Sequence, residues 1–214
     1  VAAGCEDIAS QLVYFEDRLE EQYGVNVDGI DVAMGGGRRH FLPRDPAIGI
    51  ETPPGVAEGD RTDGRDLTAE WQQKYPGGYF VQDQASFDAI PAGARKVFGL
   101  FNESHMQYEA DRGNDVLGEP SIAEMTAKAI DVLEKDNDGF FLMVESGRID
   151  HAHHAGNAFG ALTDTIAFAE AIEAAIEKVD MSETVIIVTA DHGHVFTIAG
   201  YAKRGNPILG KVVA

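Results

Sequence analysis

Apolar residues along the chain mark out its elements before any chemistry is considered. Ile8, Leu12, Phe15, Leu19 and Tyr23 recur at steps of three and four, which predicts an amphipathic helix stopped by Gly24. Ile30-Asp31-Val32-Ala33-Met34 is a short β-compatible run entering the turn Gly35-Gly36-Gly37, where glycine tolerates any backbone geometry. Residues 41–66 are rich in Pro, Gly and Asp and read as irregular surface chain, with a short helix over residues 67–75. Tyr79-Phe80-Val81 and residues 96–101 then read as strands. A helix restarts at Pro120, whose fixed φ suits a first turn, with Ile122, Met125, Ala129 and Leu133 as its buried stripe. Residues 139–144 form an unbroken apolar run, the pattern of a strand covered on both faces. A long helix over residues 157–179 and a last strand over residues 184–189 complete the series.

Strands alternating with helices predict an α/β layered fold with a largely parallel central sheet flanked by helices. The chain reads as one partial domain, 1–214, with an irregular surface excursion at about 41–95. Val1 at the start, without the features of a signal peptide, and an apolar run at Val212-Val213-Ala214 predict a piece of a longer polypeptide. No apolar stretch approaches the ~18 residues of a membrane span. Thirty-six acidic against seventeen basic side chains give a formal charge of −19, which disfavours nucleic acid and anionic membranes as partners. The same field repels a phosphorylated substrate, so phosphate chemistry here would require bound cations or a focused basic patch. The single cysteine, Cys5, excludes an internal disulfide; it is a buried thiol or half of a bridge to a segment outside this chain.

Two clusters carry the candidate chemistry, each placed just after a predicted buried strand. The first is Glu145-Ser146-Gly147-Arg148-Ile149-Asp150-His151-Ala152-His153-His154 and the second Asp191-His192-Gly193-His194. Sites in open parallel sheets lie at the carboxyl ends of strands, so the two clusters are expected to face one crevice. Carboxylate and imidazole suit zinc, and further carboxylate oxygens suit magnesium. Any one of these histidines alone reads more simply as a surface or capping residue, Arg148 as a salt-bridging loop residue, and Gly147 and Gly193 as turn formers. The pairing of two Asp/His clusters favours a metal site.

The stretch Met143 to His154 resembles the metal motif of the alkaline phosphatases, and Thr189 to Thr197 resembles their second signature, closest in wording to animal-type enzymes. Gly4 to Ala9, Met34 to Arg38, Asp63 to Leu67, Gly200-Tyr201 and Arg204-Gly205-Asn206 also match, so the resemblance covers nearly the whole chain. It implies two zinc sites and one magnesium site. Asp150 and His154 resemble ligands of the first zinc, Asp191 and His192 ligands of the second, and Glu145 a magnesium ligand. His194 resembles a histidine that braces a zinc-bound aspartate, and His151 a residue near magnesium. The implied activity is hydrolysis of phosphate monoesters through a phosphoserine intermediate, in a periplasmic or secreted protein for which a homodimer is expected.

The departures are specific. No Asp-Ser pair occurs in the chain, so the family's nucleophilic serine is absent, as are its phosphate-binding arginine, the aspartate shared between zinc and magnesium, and the hydroxyl ligand of magnesium. No histidine follows His194, leaving the first zinc without its last ligand. This polypeptide alone is therefore expected to be inactive. A calcium site of the animal enzymes falls near Ala47, Asn102 and Glu119, where only Glu119 keeps its charge. The rival readings are another member of the same metal-hydrolase superfamily (sulfatase, phosphodiesterase or phosphoglycerate mutase) and a non-catalytic metal-binding fragment.

Cys5 resembles a cysteine whose partner lies upstream of this chain. In the isolated chain the thiol should therefore react with a maleimide under denaturing, non-reducing conditions; protection from labelling would show that it already has a partner.

Overall fold

The computed structural model describes residues 7–195 and 202–209. Cys5, the Phe196-Thr197 end of the second signature, Gly200-Tyr201 and residues 210–214 lie outside the described residues. Two compact units are present, Val1–Met106 with Asn114–Pro120 and Asp131–Phe141, and Gln107–Gly113 with Ser121–Ile130 and Leu142–Ala214.

The first unit is built on a three-stranded parallel sheet, β1 (Val32–Gly35), β2 (Tyr79–Val81) and β3 (Val97–Leu100), in the order β1-β3-β2. Val97 of β3 pairs with Val32 on one side and Tyr79 on the other. The central strand β3 is buried throughout, and this accounts for its apolar Val97 and Phe98. α1 (Ile8–Val13), α2 (Phe15–Tyr23), α3 (Leu67–Lys74) and α4 (Gln84–Asp88) accompany the sheet. The predicted single helix over residues 8–23 is two: at Tyr14 the backbone leaves helical geometry (φ −113°, ψ 35°) where the side-chain hydroxyl donates to Glu70 Oε2 at 2.7 Å. The second helix ends on Gly24 at φ 65°, a left-handed cap that favours glycine. Val13, Leu67, Trp71, Phe98 and Leu100 form the core, with the Phe98 ring 5.2 Å from Phe41 and 5.4 Å from Trp71.

The expected surface excursion is tied to this sheet by one buried cation. Arg38, 1% exposed, lies in a 3-10 turn (Arg38–His40) directly after the glycine turn. Its Nε lies 2.5 Å from Glu58 Oε1, its Nη2 2.7 Å from Glu51 Oε2, and its Nη1 donates to the Leu100 carbonyl at 2.7 Å. Glu58 Oε2 in turn accepts from the Ile50 and Glu51 backbone N–H groups at 2.6 and 3.0 Å. Burial pushes the Glu58 carboxyl up, but these N–H donors and Arg38 outweigh it and hold the group below the usual carboxylate range. Burial raises Glu51 despite Arg38.

α5 (Ile122–Leu133) follows the Pro120 signal, and the second unit contains α6 (Arg148–His154) and α7 (Ala158–Lys178). The strands expected over residues 139–144 and 184–189 do not form among the described residues: neither run enters a ladder. Phe141 is 89% exposed and Val185 and Ile187 are each 82% exposed. A strand exists through its neighbours, and these two runs have none in the described sheet.

Replacing Arg38 with Ala leaves the buried Glu58 and the partly buried Glu51 without their cation. The loss should be about 3–5 kcal/mol of unfolding free energy, measured by urea denaturation at neutral pH. The Glu58 contribution should also vanish on acidification. Its folded-state pKa is lowered, so its stabilisation is present above the ordinary carboxylate range and disappears as pH falls through the lowered value.

Candidate metal centre

Seven residues make up α6, and its sequence explains both its ends and its faces. It starts after Gly147 without a side-chain cap, and the Asn157 N–H bonds back to the Ala152 carbonyl at 2.8 Å where the chain turns into α7. Asn157 then caps α7 by accepting from the Gly160 N–H at 3.0 Å. Ala152 is fully buried and faces Gly160, where an added Cβ would lie only 3.2 Å from that of Ala152. Successive helical residues are rotated by about 100°. Asp150 and His154 therefore lie about 40° apart on one face, roughly opposite Ala152.

Asp150 is the centre on which the imidazoles converge. His154 Nε2 lies 3.4 Å from its Oδ2, while His194 Nε2 lies 3.5 Å and His192 Nε2 3.9 Å from its Oδ1. Asp150, His154 and His194 each offer a ligand atom within 4.8 Å of the others, and among the described residues they are the one such group. The rings of His154 and His194 meet edge-on at 4.5 Å, and His153 stacks on His194 at 5.2 Å.

Backbone contacts settle which nitrogens face this centre. His194 Nδ1 is 2.8 Å from the Val195 carbonyl and His192 Nδ1 2.9 Å from that of Gly193. A carbonyl only accepts, so each Nδ1 carries the proton and each Nε2 is the atom turned toward Asp150. In neutral rings those Nε2 atoms are lone pairs beside a carboxylate, an arrangement that repels unless a proton or cation lies between them. The bond to Gly193 and the Asp191 carboxylate, 3.3 Å from His192 Nε2, raise the His192 pKa. Asp150 Oδ1 is buried and has no hydrogen-bond partner among the described residues. A carboxylate and several imidazoles with one buried acceptor left over suit a zinc-like cation.

Of the residues singled out from sequence, Asp150, His154, His192 and His194 come together here. Asp191, 82% exposed at its side chain, reaches the group through His192. Glu145 is exposed and outside the three-residue cluster, and the His151 ring is half-buried with Nδ1 3.1 Å from Arg148 Nη1. His194, expected to brace a zinc-bound aspartate, has its Nε2 3.5 Å from Asp150 Oδ1 and also falls within the three-residue cluster. His153 received no role from sequence, although its spacing from Ile149 predicts the contact it makes, Nδ1–H donating to the Ile149 carbonyl at 2.7 Å. In the first unit Ala47 is exposed, while Asn102 and Glu119 are buried. Asn102 Oδ1 accepts from the Ser104 N–H at 3.0 Å.

Residues 3–214 match the family profile described as alkaline phosphatase. The tissue-nonspecific isozyme of alkaline phosphatase from Homo sapiens is 38% identical over 214 residues, covering 98% of this chain and 38% of that protein. The Gallus gallus isozyme is 40% identical over 212 residues, covering 97% and 38%. The crystal structure of Thermus thermophilus alkaline phosphatase superposes with a TM-score of 0.59 at 34% identity, covering 78% of this chain and 28% of that one. Alkaline phosphatase from the Antarctic bacterium TAB5 gives 0.51 at 26% identity, covering 69% and 36%. The chain thus spans 38% of the length of these curated relatives.

The contact between Ala152 and Gly160 leaves little room for a larger side chain. Gly160→Val should cost about 1–3 kcal/mol through overpacking of α6 on α7, read from urea unfolding. Wild-type stability in that variant would show that the corner yields freely.

Proposed function

Because this chain belongs to the alkaline phosphatase family, we propose that the whole protein is a phosphatase that hydrolyses phosphate monoesters with two zinc ions and one magnesium ion. Asp150 and His154 would hold the first zinc, Asp191 and His192 the second, and Glu145 the magnesium. The observation that carries this reading is the convergence of His154, His192 and His194 on Asp150. When bound, the divalent cations supply positive charge for the phosphoryl oxygens and for the attacking and leaving oxygens.

The chain's own residues do the holding and orienting. Asp150 presents both carboxylate oxygens to imidazoles from two segments. His192 and His194 keep their Nδ1 protons on backbone carbonyls, so their Nε2 atoms stay available as donors. Asp191 adds negative charge beside His192 and favours a cation there. The overall charge of −19 would otherwise repel a phosphate dianion, so substrate attraction must come from local cations. The nucleophile of the proposed phosphoserine route matches no serine in this chain. Ser146, beside Glu145, matches a small loop residue of the family. A periplasmic or secreted location and a homodimer complete the proposal; among the described residues no helix is long and apolar enough to cross a membrane.

Elemental analysis after dialysis tests the ligand assignment: the Asp191→Ala, His192→Ala double variant should retain less zinc than wild type, and equal retention would refute it. With zinc and magnesium supplied, the full-length protein should hydrolyse p-nitrophenyl phosphate while this 214-residue chain should show little turnover. Equal rates, abolished by Ser146→Ala, would instead make Ser146 the nucleophile.

A further inference from the structure

The face of α6 opposite its candidate ligands is gripped by a side chain to which neither the family resemblance nor the proposed chemistry gives a role. Arg148 begins the helix, and its guanidinium carbon sits 4.2 Å from the centre of the Tyr108 ring, the geometry of a cation–π contact. Its Nη1 lies 3.1 Å from His151 Nδ1, one turn along the same helix. Arg148 and Ala152 are four residues apart and share a face, whereas Arg148 and Asp150 are about 160° apart. One side of α6 is thus occupied by packing contacts and the other carries Asp150 and His154.

Tyr108 is itself held. The Asp111 N–H donates to the Tyr108 carbonyl at 2.8 Å, closing a turn, and Arg112 Nε and Nη2 both reach the Glu109 carboxylate within 3.2 Å. The Glu109 N–H donates to Asp164 Oδ1 at 3.4 Å, and Asp164 is a buried residue of α7, 5% exposed. Burial raises the Asp164 carboxyl above the usual carboxylate range, against the pull of the Glu109 N–H; the repulsion of Glu109 and Asp111 adds to the rise, and the charge of Arg148 opposes it. The path runs from α7 through Asp164 and the Tyr108 turn to Arg148 and so to α6.

We infer that Arg148 is a positioning residue for the metal centre: clamped on the Tyr108 ring, it fixes the rotation of α6 about its axis so that Asp150 and His154 face His194. The Ala152–Gly160 contact sets how close α6 comes to α7, and the Asn157 N–H bond to the Ala152 carbonyl ties its C-terminal end, but a small side chain against a glycine gives little purchase on rotation at the N-terminal end. A cationic, planar group seated on an aromatic face supplies that constraint. The side chains that hold ligands from behind commonly matter about 10–100-fold in metal affinity. The role assigned to Arg148 rests on the zinc reading above, so its test carries a separate control for that reading.

Zinc affinity of the 214-residue chain would be measured by competition with a chromophoric chelator. The visible spectrum of the cobalt(II)-substituted chain would be recorded alongside, because it reports coordination geometry directly. Arg148→Met and Tyr108→Leu should each weaken zinc about 10–100-fold and alter the cobalt bands. Tyr108→Phe, which keeps the ring, should restore both. The Arg148→Met, Tyr108→Leu double variant should lose no more than the worse single variant, since both substitutions break one contact. Wild-type affinity and cobalt bands in Arg148→Met, or single losses that add in the double variant, would overturn the positioning role. Should Arg148→Met fail to fold, the Tyr108→Leu and Tyr108→Phe pair still decides, and equal affinity in the two overturns the proposal. Asp150→Asn is the control: if it binds zinc as tightly as wild type, the metal reading itself is at fault rather than the clamp.

Discussion

A chain with more than twice as many acids as bases must bring positive charge to each place where carboxylates are buried or crowded. Two places in this molecule meet that demand differently. In the first unit Arg38 neutralises Glu51 and Glu58 and caps the Leu100 carbonyl, so an internal cation fastens the irregular chain to the end of β3. Around Asp150 stand three imidazoles, two of which, His192 and His194, direct their Nδ1 protons away onto backbone carbonyls, and among the described residues no arginine or lysine pairs with it. The first arrangement is electrostatically closed. The second is open, and its missing charge is the physical basis for reading it as a cation site.

Helical segments were largely legible in the sequence because a helix makes its hydrogen bonds within itself. Residues 157–179 were expected and Ala158–Lys178 observed, with Asn157 as the cap. Strands were less legible for the opposite reason. The apolar run at residues 184–189 has every compositional mark of a strand, yet pairing requires a neighbour that periodicity cannot name. Periodicity does not predict the short helix α6, because its seven residues carry no apolar stripe, although the four-residue spacing of Asp150 and His154 is compatible with one helical face.

The candidate centre was legible as a set of residue types and less so as a geometry. Asp150, His154 and His192 were singled out by motif and do converge. The proximity of His194 to Asp150 depends on how the segment after residue 189 returns across α6, which no local pattern records. The Arg38 network was illegible for a related reason: Glu51 and Glu58 lie in a stretch whose Pro and Gly content says only that it is irregular. Long-range charge pairing leaves no periodic trace, and it is this pairing that decides which surface acids are in fact buried.

The exposed run Thr184-Val185-Ile186-Ile187-Val188-Thr189 has a consequence for how the chain behaves in solution. It is β-branched throughout, uncharged and free of proline, and Val185, Ile187 and Val188 are all more than half exposed. Segments of this kind seed intermolecular cross-β pairing when no native strand covers them. Like-charge repulsion between chains of net charge −19 works against such encounters, and its reach shrinks from about 30 Å at 0.01 M salt to about 8 Å at physiological ionic strength. The repulsion that opposes pairing through residues 184–189 is thus strongest in dilute buffer and weakens as salt is added.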